Sequence, residues 1–131
     1  MEQQNPIEKL FTDSGPFDQA EIVKVLEPLI SIMRNTNQVF FKKNMKVSYK
    51  ILAFALVQKL LFMSGKKKES YISAAEVFEK TDLPKGSIDT TFKQLKDDKY
   101  IMGEGKKYEI PNSKISQVLE ELKNISKAEL K

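Results

Sequence analysis

Lysine is the side chain with the clearest chemical potential in this sequence, because most other reactive types are missing or badly placed. The 131 residues contain no cysteine and no histidine, which removes the usual zinc ligands, the thiolate nucleophile and the commonest general base at neutral pH. The adjacent carboxylates Asp97–Asp98 and Glu120–Glu121 make poor acid–base couples, since neighbouring residues on a helix point in different directions. We therefore expect no enzyme, no cofactor and no bound metal.

Two glycine-containing stretches have the composition of phosphate-binding loops but the wrong spacing. Gly65-Lys66 is not a Walker A loop, because Leu60 stands where the first glycine belongs and Lys67 replaces the serine or threonine. Gly103-Glu104-Gly105 precedes an expected strand, whereas the dinucleotide fingerprint precedes a helix. Neither stretch indicates nucleotide chemistry.

The lysines are unevenly distributed along the chain, whose formal net charge is +4. Residues 1–27 carry six acids against two lysines, and residues 69–131 carry twelve acids against eleven lysines. Residues 28–68 contain no acid at all, against Arg34 and eight lysines. A basic middle of this kind indicates contact with a polyanion, and a lysine-rich solvated surface is the alternative.

The elements that would position the later lysines can be predicted from residues 73–110. Ser73 and Glu76 form a capping box that predicts the start of a short helix, and Thr81–Pro84 ends it. A second helix is expected from about Pro84 or Ser87 to Asp98, with an apolar face. After it, the glycine-bearing turn 102–106 predicts a β-hairpin, beside which residues 71–72 could pair as a third strand.

Residues 83–88, which read Leu-Pro-Lys-Gly-Ser-Ile, together with Leu95 and Tyr100-Ile101, resemble the recognition-helix signature of winged helix-turn-helix transcriptional regulators. MarR-like and ArsR-like repressors belong to this broad group. Its pattern ends in L-x-x-x-G-[LIY]-I, and here Lys99 stands in place of the usual glycine. The matching residues identify a fold family rather than one regulator. The resemblance implies a mainly α fold with a small β-hairpin wing, to which the sequence pattern adds extra N- and C-terminal helices.

The resemblance also implies a binding mode for double-stranded DNA, with helix 84–98 in the major groove and wing 102–107 on the phosphate backbone. The expected DNA-contacting residues are Lys85, Gly86, Ser87, Asp89, Thr90, Lys93, Gln94, Lys106 and Lys107. Lysines at 42–50, near the start of the next predicted helix, are further candidates for phosphate contact. The aspartates on helix 84–98 offset its lysines, so a winged helix that binds another protein is the alternative.

The remaining segments divide the chain around residues 48–110. Residues 1–16, which lack a secretory signal, are expected to be a flexible arm. In the segment 17–47, residues 17–34 predict a helix that Pro28 kinks or breaks, and the apolar run 38–41 in the connection after it is either a strand or an extended stretch. Residues 48–63 predict a core helix that is apolar nearly all round and too short for a comfortable membrane span. Residues 66–69 are expected to be a surface loop. We expect a cytoplasmic protein that does not enter a membrane.

Residues 111–131 predict a last helix with an apolar stripe, which either completes the core or meets its own copy across a two-fold axis. The candidate dimerisation residues are Ile115, Val118, Leu119 and Leu122. A homodimer is therefore expected.

Overall fold

The computed structural model describes residues 19–129, and the predicted arm 1–16 lies outside them. Five helices and four short strands make up the described chain. In order they are α1 (Gln19–Leu26), β1 (Ile30–Ile32), β2 (Val39–Phe41), α2 (Val47–Met63), α3 (Ala74–Lys80), α4 (Lys85–Asp97), β3 (Met102–Glu104), β4 (Lys107–Glu109) and α5 (Asn112–Glu129). The protein is thus mainly helical, with two separate two-stranded antiparallel sheets.

The first helix is shorter than the sequence pattern predicts. It ends at Leu26, and Ile30, expected on the same helix, begins a strand that pairs with Phe41. Pro28 is the physical reason, because proline removes a helical hydrogen bond and clashes with the preceding turn. The apolar residues after it are spaced in a way that suits a short strand as well as a helix, so periodicity alone did not separate the two.

Helix α2 is the centre of the core, as its all-round apolar sequence predicts. Residues 51 to 59 are all buried, and the helix contacts α1, α4 and α5. Three neighbouring helices of the same chain therefore cover it. No helix among the described residues is long and apolar enough to cross a membrane.

The predicted turn between α3 and α4 is short and well bonded. The Ser73 side chain accepts a hydrogen bond from the Glu76 amide at 3.1 Å, which caps α3. At the other end, the Thr81 hydroxyl donates to the Val77 carbonyl at 2.7 Å and accepts from the Leu83 amide at 3.2 Å. The Val77 carbonyl also accepts from the Thr81 amide at 3.0 Å, so Thr81 closes the end of α3 with its backbone and its side chain.

Strands β3 and β4 form the predicted hairpin, in which Gly103 faces Tyr108. Gly105 occupies the first turn position with φ at 64°, as a tight two-residue hairpin turn requires. Ile72 joins the hairpin through two backbone hydrogen bonds with Tyr108, of 2.7 and 2.8 Å. The third strand predicted at Tyr71-Ile72 is thus present as a single bridge.

The apolar stripe of α5 lies in the core of its own chain, which corrects its assignment to dimerisation. Ile115, Val118, Leu119 and Leu122 are 0 to 3% exposed. They are buried because α5 packs on α1 and α2, so no second copy is needed to cover them. The homodimer stays a prediction, and it would require a different surface.

The ends of α2 and α4 have the same geometry but different residues. Each closes with two backbone hydrogen bonds around a residue of positive φ, which is Gly65 (80°) after α2 and Lys99 (65°) after α4. This is the Schellman arrangement, in which glycine is favoured because a Cβ is strained there. Lys99 therefore occupies the left-handed position at which the related pattern has glycine.

We expect Lys99→Gly to stabilise the protein by about 0.5–1 kcal/mol, because it relieves that strain at a solvent-exposed site. Urea unfolding followed by circular dichroism would measure the shift. Gly65→Ala is the matched control and should destabilise by about 1 kcal/mol. A loss of stability on Lys99→Gly would contradict the strain argument.

Candidate functional site

A groove of about 840 Å³ lies between α3, α4 and the β3–β4 hairpin, which we call the wing. Its walls come from the segment before α3, from one side of α4, and from the wing turn. The lining residues are Glu69, Tyr71, Ile72, Ser73, Ala74, Ala75, Glu76, Phe78, Lys85, Asp89, Phe92, Lys93, Lys96, Gly105, Lys106, Lys107 and Tyr108. The groove therefore brings together predicted site residues that are up to 22 positions apart in sequence.

Helix α4 presents the predicted site residues to solvent because its other face is held in the core. Ile88 and Leu95 are buried, and so is Thr91, which the sequence pattern did not single out. All the predicted contact residues on α4 are exposed, except Ser87, which is half-buried. Three uncharged polar residues of this set do not line the groove: Ser87, Thr90 and Gln94. Helix α4 therefore has one side that faces the groove and is rich in lysine, and an outer side with uncharged polar groups.

The groove has an excess of positive charge. Five lysines line it, at positions 85, 93, 96, 106 and 107, against three carboxylates. Two of the carboxylates bind lysines, since Glu69 accepts from Lys107 at 3.3 Å and Glu76 accepts from Lys67 at 2.7 Å. Asp89 has no lysine partner among the described residues. The arrangement favours an anionic ligand.

Four aromatic side chains line the groove. Phe92 and Tyr108 meet edge to face with ring centroids 5.4 Å apart, which ties α4 to the wing. The Lys96 ammonium lies 5.8 Å from the centroid of the Tyr108 ring, within the range of a cation–π contact. Tyr71 and Phe78 remain exposed. Lys96, Tyr71 and Phe78 were not among the predicted site residues, although cationic and aromatic side chains are types that bind ligands.

The base of the wing is fixed to the core by a largely buried ion pair. The Lys59 ammonium, on α2, donates to Glu109 Oε1 at 3.0 Å, and the Ser70 hydroxyl donates to the same oxygen at 2.9 Å. Lys59 is only 7% exposed, so its charge needs this partner. Glu109 thus connects β4 to the core helix and to the segment that precedes α3, which sets the position of the wing beside α4.

Residues 66–69 form the predicted surface loop, but Lys67 is fixed within it. Its ammonium donates to Gln58 Oε1 at 2.8 Å, to the Tyr71 carbonyl at 3.2 Å and to Glu76 Oε2 at 2.7 Å. Three acceptors satisfy the three protons of the ammonium. Lys67 therefore holds the start of α3 against the end of α2, while Lys66 is exposed as predicted.

The lysines at 42–50 do not line the groove. Lys42 donates to the Glu27 carbonyl at 3.0 Å, and the Lys50 ammonium lies 5.3 Å from the centroid of the Phe41 ring. These two side chains have local partners and are separate from the cluster on α4 and the wing.

Two tyrosines share one carboxylate where α2, α5 and the end of α4 meet. Tyr49 donates to Glu121 Oε1 at 3.1 Å and Tyr100 donates to Glu121 Oε2 at 2.7 Å. Burial, and then the hydrogen bond to Glu121, raise the pKa of Tyr49. The hydrogen bond to Glu121, and then burial, raise the pKa of Tyr100. Both phenols therefore stay protonated at neutral pH and act as structural donors.

The groove presents ammonium groups and aromatic rings to a ligand. Within residues 19–129, no cluster of three or more acidic side chains could hold a metal ion. Family models, curated proteins and solved structures yield no match to the chain. Its function is therefore inferred from its own residues and their geometry.

Proposed function

We propose that this chain is a winged helix-turn-helix protein that binds double-stranded DNA and regulates transcription. The observation that carries the proposal is the set of five lysines that α4 and the wing bring into one groove. The order of α3, a four-residue turn, α4 and a hairpin, with Ile72 bridging to the hairpin, supports the fold assignment. In this arrangement α4 would enter the major groove and the wing would lie along the backbone.

The lysines suit phosphate contact because most of them lack a competing carboxylate. Lys85, Lys93, Lys96 and Lys106 have no ion-pair partner in the described part of the chain. An ammonium that is already paired must lose its partner before it binds a phosphate, and these four need not. Neutralising phosphates releases counterions, which supplies affinity without sequence information.

The outer side of α4 provides groups that could read bases. Thr90 is exposed on the face away from the core and outside the groove, and its hydroxyl can bond to base edges. Gly86 has open space around the position of a Cβ, so packing does not require glycine there. The absence of a side chain at Gly86 would allow DNA to approach the start of α4 closely.

We expect the protein to bind random duplex DNA with a steep salt dependence, and the lysines of the groove to determine its slope. Lys85→Ala and Lys93→Ala should each weaken binding to all duplexes and flatten the log–log salt slope by about one. Thr90→Ala should cost about 1 kcal/mol on a site selected from a random library and little on random DNA. Fluorescence anisotropy titrations at several salt concentrations would measure both effects.

Lys24→Ala on α1 is the matched control, because Lys24 is exposed and does not line the groove. It should leave the affinity and the slope unchanged. No binding of duplex DNA at micromolar protein would overturn the proposal. An equal effect of Lys24→Ala and Lys93→Ala would show that net charge, rather than the groove, attracts DNA.

The runner-up proposal is a winged helix that binds another protein. Asp89 and the exposed rings of Tyr71 and Phe78 favour it, since a carboxylate near phosphates costs affinity and apolar side chains suit a protein partner. The charge of the groove favours DNA, because four lysines and one aspartate in its lining lack an ion-pair partner among the described residues.

A further inference from the structure

We propose that the groove also binds unpaired nucleobases, which stack on Tyr71 and Phe78. The preferred ligand would then be a DNA duplex with a single-stranded extension, in which α4 and the wing hold the duplex and the extension enters the groove. This inference rests on the proposed function and names a more specific form of its substrate.

The core of the protein does not include the rings of Tyr71 and Phe78. Phe78 is 52% exposed and Tyr71 is 40% exposed, whereas their neighbours Val77 and Ile72 are fully buried and make the core contacts. An exposed phenylalanine forgoes the gain in free energy that burial would give. Exposed aromatic surface within a groove commonly marks a binding site.

The residues next to Phe78 on α3 are small. Ala74 and Ala75 lie four and three positions before it on α3, and both line the groove. Side chains at these spacings are neighbours on a helix surface. Because alanine carries only a methyl group, the helix leaves room beside the Phe78 ring for another flat group.

The charge next to the rings selects the ligand. The Lys107 ammonium lies over the Tyr71 ring, 5.9 Å from its centroid, and pairs with Glu69. A base that stacks on this face would displace the ammonium, which could then bind a phosphate of the same strand. Lys106, which has no ion-pair partner among the described residues, also lines the groove. Aromatic faces beside cations are the combination that binds single strands, because every base has a flat face and every nucleotide carries a phosphate.

Other exposed rings among residues 19–129 lack this setting. Phe40 on β2 is 48% exposed, similar to Phe78, but it does not line the groove. Exposure alone is therefore not the distinguishing feature. Tyr71 and Phe78 differ from Phe40 because they share a groove with the lysine cluster.

The test compares three labelled DNAs of equal duplex or strand length: a blunt duplex, the same duplex with a single-stranded thymidine extension, and the extension alone. Anisotropy titrations should show tighter binding of the extended duplex than of the blunt one. Phe78→Ala and Tyr71→Ala should each weaken the extended duplex about tenfold and leave the blunt duplex unchanged. Tyr71→Phe should retain binding, because it keeps the ring.

Phe40→Ala is the matched control for removal of an exposed ring, and it should not alter binding of any of the three DNAs. Thermal unfolding of every variant should match the parent, because the substituted side chains are exposed. Equal affinity of the parent for blunt and extended duplexes would overturn the inference, and so would a gain that survives both alanine substitutions. Neither result would affect duplex binding, which the lysine variants test separately.

A fluorescent acidic peptide that contains phenylalanine serves as the protein-partner arm. We expect it to bind weakly, with no dependence on Phe78. Tight binding of the peptide that Phe78→Ala abolishes, together with no gain from the DNA extension, would replace the nucleobase site with a peptide site.

Discussion

Gly103→Ala is expected to displace the wing while leaving the helices folded. A Cβ at this position would overlap the Lys107 carbonyl oxygen and would lie 2.9 Å from the Tyr108 Cα. Backbone cannot move aside as a flexible side chain can, so the two strands must separate. We expect a loss of about 3 kcal/mol, at the upper end of the range for overpacking.

The displacement should also impair DNA binding, because the wing turn carries Lys106 and Lys107. Thermal unfolding would measure the stability, and amide chemical shifts would show that the changes concentrate in residues 100–110. In titrations on duplex DNA at several salt concentrations, the slope of log affinity against log salt concentration should become shallower by about two. A stable protein with unchanged hairpin shifts would contradict the predicted clash.

Two other glycines provide a graded control for this substitution. Gly105→Ala meets no atoms within 4 Å but has a φ of 64°, so it should cost about 1 kcal/mol. Gly86→Ala meets no atoms and has no unusual φ, so it should be neutral or stabilise by up to about 1 kcal/mol. The expected order of stability is Gly86→Ala, then Gly105→Ala, then Gly103→Ala.

Leu122→Ala is expected to destabilise a single chain rather than to dissociate a dimer. Leu122 is fully buried on the face of α5 that packs on α1 and α2. Removing its side chain leaves a cavity and should cost about 3 kcal/mol, which would lower the Tm by on the order of 10 °C. Circular dichroism melts at several protein concentrations would measure the change.

Glu120→Ala is the control for this variant, because Glu120 is exposed on the same helix. It should shift the Tm by little. If Leu122→Ala kept its Tm and light scattering showed a change from dimer to monomer, the stripe would be an interface after all. A Tm of Leu122→Ala that rises with protein concentration would point the same way.

The region from Ser73 to Ile110 could be predicted well because its signals are local. Pro84 can begin a helix but cannot continue one. The apolar residues between Pro84 and Asp98 recur at helical spacing, and Gly105 suits a tight turn. Each signal depends on the preferences of a few neighbouring residues. The helices α3 and α4 and the hairpin therefore lie close to the predicted bounds.

The strands β1 and β2 were less predictable: residues 30–32 were expected in a helix, and 38–41 either in a strand or in an extended connection. Each strand has only three residues, Ile30–Ile32 and Val39–Phe41, too few for an alternating pattern to be distinguished from a helical one. The paired residues are 7 to 11 positions apart, and a pattern within three residues does not contain that pairing. Pro28 indicated a break in the helix, but it did not indicate that the next apolar residues form a strand.

The sequence by itself determined the central helix and the order of the later elements, because these depend on residue types and their spacing. Only the tertiary structure decided which charges remain available for binding. Lys59 and Lys67 are used inside the protein, whereas Lys85, Lys93 and Lys96 line one groove with the wing. Tertiary structure also decided that the α5 stripe is covered within one chain, since the apolar area of a helix does not say which surface will bury it.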